Sequence, residues 1–279
     1  MSPTPTRQHT TVETRPAAAP TAVAPRRGLL PARWIRVGRP AWWAELVLIV
    51  AGWMLYNTTR NAVHSQRGAA LRRAGEVLHF EKSLHLSFEQ AANHAADKIT
   101  WLIVGMNYYY ATLYMVGLIG VLLWLYWRYP GHYRAARTAL CVTSATALLG
   151  FYFFALAPPR FLTSAGFIDT VVVHHTWGSW ASGSVDSVSN QYAAMPSIHV
   201  AWATWCGVVM FRLAKKPLVR ALGVLFPLTT FAVIVCTGNH FEADAVAGAL
   251  IAATGFAVQR LLTGRPTLPR PTAARRIRA

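Results

Sequence analysis

Apolar residues along this chain gather into blocks of about 20, the length a helix needs to cross a hydrocarbon core about 30 Å thick. Six such blocks, bounded by charges, prolines and turn residues, are predicted at about 41–57, 106–127, 136–157, 198–213, 218–237 and 243–262. A bilayer offers no partner to open backbone groups, and the blocks are too long for barrel strands, so each is expected to be a helix. Residues 60–98 carry a different pattern. Val77, Phe80, Leu84, Phe88, Ala91 and Ala95 recur at helical spacing on one face, with Arg72, His79, Lys82, Gln90, Asn93 and Asp97 opposite. That pattern predicts a segment lying at the interface, either an anchor for anionic headgroups or a wall of a lipid-phosphate site. Residues 1–40 and 264–279, rich in Pro, Ala, Thr and Arg, are expected to be disordered basic tails around one membrane domain, 41–263. The fold expected is therefore an all-α integral membrane protein: a six-transmembrane helix bundle with an interfacial amphipathic helix.

Composition agrees. The 279 residues are 54% hydrophobic and 13% charged, about half the charge of an average soluble domain. The net charge of +17 would suit nucleic acid, but the excess lies in the tails and in short loops between apolar blocks. There it sets topology and touches anionic lipid, and no nucleic-acid partner is expected. With both termini cytoplasmic, 20 of the 27 Lys and Arg fall on the inner side, the positive-inside pattern for an even number of spans. The third and fifth loops then face outward. Cys141, Cys206 and Cys236 all sit in apolar blocks without a close pair, which excludes a disulfide framework or a zinc site.

Three stretches put ionisable residues where a membrane protein usually avoids them: Ala-Pro-Pro-Arg at 157–160, Met-Pro-Ser-Ile-His at 195–199 and Gly-Asn-His-Phe-Glu-Ala-Asp at 238–244. All three fall at the outer ends of predicted spans. His240 and Asp244, four residues apart at a helix start, share a face. A carboxylate on one imidazole nitrogen orients the ring and leaves the other nitrogen free to attack an electrophile, although a plain helix-capping pair has the same spacing. Pro196 and Ser197 mark a helix start, where free amides and the Ser197 hydroxyl form an anion site. A phosphate there would put a leaving oxygen near His199, an imidazole able to donate a proton, or else His199 is an interfacial histidine. Arg160 has a fork suited to phosphate oxygens, or it is an arginine that marks the membrane surface. Lys82 and Arg72 would add phosphate ligands if the amphipathic segment folds over the site. In the long third loop, Trp177 and Trp180 suit the lipid interface, and the adjacent His174 and His175 seldom converge on one metal ion. Neither a metal nor another cofactor is expected.

In this order the motifs resemble the type 2 phosphatidic acid phosphatase superfamily, and within it the inositol phosphorylceramide synthase-like inositolphosphotransferase branch. Pro196-Ser197-Ile198-His199 looks like the second superfamily motif with Ile in place of Gly, and His240-x3-Asp244 like the end of the third. Arg160 stands where the first motif's arginine would. The lysine of that motif is replaced by Phe153, and the Ser-Arg pair of the third by Val233 and Ile234. Pro-Pro-Arg, Met-Pro-Ser-x-His and Gly-x-His-x3-Asp are the forms usual in the inositolphosphotransferase branch. The resemblance covers most of residues 60–260 and implies a metal-independent enzyme of six spans. In it His240, oriented by Asp244, attacks a lipid-linked phosphate held by Arg160 and Ser197. His199 protonates the leaving group, and a hydroxyl acceptor or water releases the product. Two alternatives remain open at this stage: a non-enzymatic transporter or flippase of lipid phosphate, and a membrane metalloenzyme built on His199, His240, Asp244 and a histidine of the third loop. The sequence leaves the oligomeric state undetermined.

Overall fold

The computed structural model describes residues 28–31, 33, 35–62, 67–176 and 192–268. Its helices are α1 (Trp42–Ala62), α2 (Arg67–Ser83), α3 (Glu89–Asp97), α4 (Thr100–Tyr108), α5 (Tyr114–Arg128), α6 (Pro130–Phe153), α7 (Thr170–Val173), α8 (Ile198–Leu213), α9 (Pro217–Cys236) and α10 (Glu242–Thr263). A wide π-helical turn, Tyr109–Leu113, joins α4 to α5, so that Thr100–Arg128 is one continuous helix. Among the described residues there is no β-strand, only an isolated parallel bridge between Leu156 and Ala193.

Among the described residues four helices are long and apolar enough to cross a membrane: Thr100–Arg128, Pro130–Phe153, Pro217–Cys236 and Glu242–Thr263. Trp42–Leu55 and Ile198–Leu213 are apolar but shorter. The 16 residues of α8 rise about 24 Å at 1.5 Å per residue. The third predicted block, 136–157, is shifted toward the N-terminus. Pro130 starts α6, where its missing N–H costs nothing, and the chain runs extended from Phe154 toward Pro158-Pro159, which no helix can enter.

Helix α8 is the axis of the bundle, packed against α5, α6, α9 and α10. Trp205 is fully buried on it and donates from Nε1 to the Ala136 carbonyl of α6 (2.9 Å). Close approach replaces hydrophobic drive in a lipid solvent, so small residues line these contacts. Gly207 lies against the Gly223 carbonyl of α9, and Gly248 of α10 against the Ser197 carbonyl. Outside, large apolar side chains such as Trp53, Leu218, Leu228 and Leu250 are exposed, as a lipid-facing surface requires.

Residues 60–98 do not form one helix. The chain breaks between α2 and α3, with His85 at φ +57°. Phe80, Leu84 and Phe88 face outward, as on an interfacial segment, but the other side is packed against α9 and α10 rather than solvated. Its buried residues among those described are Ala70, Ala74, Leu78, Glu81, Glu89, Asn93 and Ala96, none of them basic, whereas Arg72, His79 and Lys82 are exposed.

Candidate active site

The three polar motifs meet at one end of the bundle, where α6 and α9 finish and α8 and α10 begin. Backbone hydrogen bonds join them: Arg160 N donates to the Gly238 carbonyl (2.8 Å), and Ser197 N to the Asp244 carbonyl (3.0 Å). Gly238 has φ +64°, and a Cβ there would sit 3.3 Å from that of Arg160. Glycine alone meets both demands easily. Pro196, after a cis peptide bond, packs on Gly150 near the end of α6.

His240 and Asp244 are buried, with Nδ1 of the ring 3.3 Å from Oδ2 of the carboxylate. The same oxygen accepts from Phe241 N (3.1 Å), closing the first turn of α10. Nε2 of His240 therefore faces away from its carboxylate, buried and without a hydrogen-bond partner among the described residues. The ring of His199, in the first turn of α8, lies 5.5 Å from that of His240. Its Nδ1 is likewise buried without a partner among the described residues.

Two tyrosines hold His199 from the far side. Tyr110 stacks on its ring (centroids 4.2 Å apart, planes at 23°), and Tyr114 is tilted against it at 4.3 Å. Tyr110 also approaches His240 (6.2 Å). Both tyrosines belong to or follow the π turn, whose extra residue per turn re-aims side chains and recurs at functional sites. Sequence reasoning did not single them out. The available signal was Tyr108-Tyr109-Tyr110 and Tyr114, hydroxyls clustered inside an apolar block.

Arg160 follows Pro158-Pro159 in a single 3₁₀ turn. Its Nη1 donates to both oxygens of Asp169 (3.0 and 2.9 Å), and its guanidinium lies 4.6 Å from the Phe161 ring. Asp169 also caps α7, accepting from Val171 N and Val172 N. The segment 158–176 is thus docked rather than loose. Asn93 accepts from Ile168 N (2.9 Å), Asn107 donates to the Thr170 carbonyl (3.1 Å), and His174 pairs with Asp97 (2.7 Å). Trp177 and Trp180 lie outside the described residues.

Ser197 is the N-cap of α8, its Oγ accepting from Val200 N (3.4 Å). Arg72 and Lys82 are exposed, and no contact among the described residues brings either to the histidines. Helix α2 sends an acid inward instead: Glu81 Oε1 accepts from Ala243 N (2.7 Å) in the first turn of α10. Burial pushes the Glu81 carboxyl up to about 7, with Glu89 and Asp244 adding to the rise and the Ala243 amide opposing it.

With this geometry in view, the comparison with known families is direct. The family model of the PAP2 superfamily matches residues 75–258, from the middle of α2 to the last turns of α10, and the chain belongs to that superfamily. No curated protein and no solved structure matches it. Membership supports a phosphatase or phosphotransferase that acts on a lipid phosphate, with water or a second substrate as acceptor.

Proposed function

We propose that the protein is a membrane phosphotransferase or phosphatase that works on a lipid-linked phosphate through a phosphohistidine on His240. Nε2 of His240 attacks phosphorus, forming a P–N bond as the P–O bond to the leaving group breaks. His199 gives its proton to the departing oxygen. The same imidazole then takes a proton from water or an acceptor hydroxyl, whose oxygen attacks phosphorus and releases His240. Asp244 holds the His240 ring and stabilises its positive charge. Arg160, the Ser197 hydroxyl and the amides opening α8 bind the phosphate oxygens, with Arg160 exchanging or sharing Asp169 for substrate. Lys82 and Arg72 are assigned an outer role, meeting the headgroup before it enters.

The observation that carries this reading is the pair of imidazoles 5.5 Å apart, each with a buried nitrogen that has no partner among the described residues, one of them backed by a carboxylate. A transporter that only binds lipid phosphate would have no use for that arrangement. Pro-Pro-Arg and Met-Pro-Ser-Ile-His favour the inositolphosphotransferase branch, hence phosphoinositol transfer to a lipid hydroxyl, or the related transfer of a polyprenyl or sugar phosphate. We read the bundle as six spans in the plasma membrane, α1 and α8 completing the four long helices, with both termini cytoplasmic and the histidines on the extracytoplasmic side.

Incubating the purified protein with phospholipids, inositol phospholipids and polyprenyl phosphates labelled with ³²P tests the chemistry. Acid-labile, alkali-stable label on the wild-type protein, absent from His240→Ala, is the expected result. Turnover without any trapped label, retained in His240→Ala, overturns it.

A further inference from the structure

A second cluster lies against the start of α10, made of residues that the proposed reaction does not use. Glu81 comes from the last turns of α2, Glu89 is the first residue of α3, and Glu242 the first of α10. One carboxylate oxygen from each lies within 4.8 Å of the others. The three residues are 2%, 0% and 8% exposed, so water does not solvate them. Among the described residues, Glu81 Oε1 accepts from the Ala243 amide, and the other five carboxylate oxygens have no hydrogen-bond partner outside the cluster. Glu89, the most deeply buried of the three, turns an oxygen into the cluster and has no partner outside it among the described residues.

Burying a charge without a partner costs several kcal/mol, and three carboxylates together repel one another. A proton shared between carboxyls or a bound cation relieves both costs. No described lysine, arginine or histidine makes an ion pair with any of the three, and Lys82, beside Glu81 in sequence, is exposed. Ligands that are all oxygen select hard cations. Ca²⁺ takes carboxylate oxygens at about 2.3–2.6 Å in flexible geometry, so ligands on opposite sides of one ion stand about 5 Å apart. Mg²⁺, at about 2.0–2.1 Å, would need the three side chains drawn closer.

We propose that Glu81, Glu89 and Glu242 form a calcium site that ties α2 and α3 to the first turn of α10. Its place in the fold gives it a positioning role. Glu242 stands two residues after His240 and two before Asp244, so an ion there fixes the turn that carries the pair. The ion touches no reacting atom, and the site is independent of the reaction proposed above.

The full-length protein, purified in detergent and stripped with a chelator, is titrated with Ca²⁺ by calorimetry, and its thermal unfolding is followed in parallel. Saturable binding of about one equivalent is expected, with a higher unfolding midpoint as Ca²⁺ is added, since a ligand of the folded state stabilises it. Glu89→Gln should weaken binding about tenfold or more, because affinity follows the number of charged ligands. Glu76→Gln, an exposed acid on α2, should leave it unchanged. If Glu89→Gln does not fold, Glu242→Gln takes its place. Absence of saturable binding up to about 10 mM, beyond the weak end of protein calcium sites, overturns the proposal, as does binding that neither glutamate variant alters.

Discussion

Buried polar groups stand at both ends of the bundle, and they are treated differently. At the end where α1 meets α6, Glu45 accepts from the Tyr133 hydroxyl through Oε2 (2.9 Å) and pairs through Oε1 with Arg137. Both oxygens are answered, leaving only Nε of Arg137 without a partner. Tyr129 OH, donating to the Leu213 carbonyl (2.9 Å), closes the same end between α6 and α8. At the other end, His199 Nδ1, His240 Nε2 and Asp244 Oδ1 are buried without partners among the described residues, and the oxygens of Glu89 and Glu242 without any outside their own cluster. A polar group that is buried and satisfied fixes helices against one another. One that is buried and left open costs stability, and such cost is kept where a substrate or ion supplies the missing partner. The contrast separates architecture from chemistry without reference to any motif.

Substitutions at the two ends should accordingly fail in different ways. The largest effect is expected for His240→Ala, which removes the proposed nucleophile. Activity should fall by about 10⁵-fold or more with the folded yield kept, and loss of fold together with activity would move His240 to the architectural class. Asp244→Asn keeps the shape but cannot accept from both His240 and Phe241 in the same way. A fall of about 10⁴-fold in turnover is expected by analogy with an orienting aspartate, and an effect under tenfold would reduce Asp244 to a helix cap. Arg160→Lys retains the charge and loses the fork. Steady-state kinetics should show about 10²-fold lower kcat/KM, whereas a change confined to thermal stability would assign Arg160 to the Asp169 pair alone. Glu45→Gln, at the satisfied end, should destabilise the fold by about 3 kcal/mol, the cost of breaking a buried ion pair, and leave activity per folded molecule unchanged. A selective loss of catalysis there would erase the distinction between the two ends.

Much of this arrangement was legible in the linear pattern. The fourth predicted block, 198–213, coincides with α8, and the fifth and sixth agree with α9 and α10 within a residue at each end, because Pro217 and the polar turn 237–241 are strong boundaries. The histidines and Asp244 stood out because ionisable residues are rare in apolar surroundings. Other features had no linear signature. Tyr110 reaches His199 only because the helix widens into a π turn, a choice that no local residue announces. Asp169 finds Arg160 through 3₁₀ turns docked by Asn93 and Asn107, contacts from elements distant in the chain. The amphipathic reading of residues 60–98 agrees with the exposure of Phe80, Leu84 and Phe88, but its polar face is divided, with Asn93 buried and Arg72 and Lys82 exposed. The bend at His85 turns Glu81 and Glu89 inward instead and leaves Arg72 and Lys82 outside.

The sequence by itself determined that the chain is helical with apolar segments suited to a membrane, where α8, α9 and α10 start and stop, and which ionisable residues stand in apolar surroundings. Those properties follow from local transfer energies and from backbone rules at proline and glycine, which act within a few residues. Only the tertiary structure decided which ionisable groups are answered and which are left open, because a partner's presence depends on helices that meet in space. That Glu45 is answered by Tyr133 and Arg137 while Glu89 is left open cannot be read from two glutamates in a row of letters. It follows from what packs beside each one once α8 has gathered its neighbours.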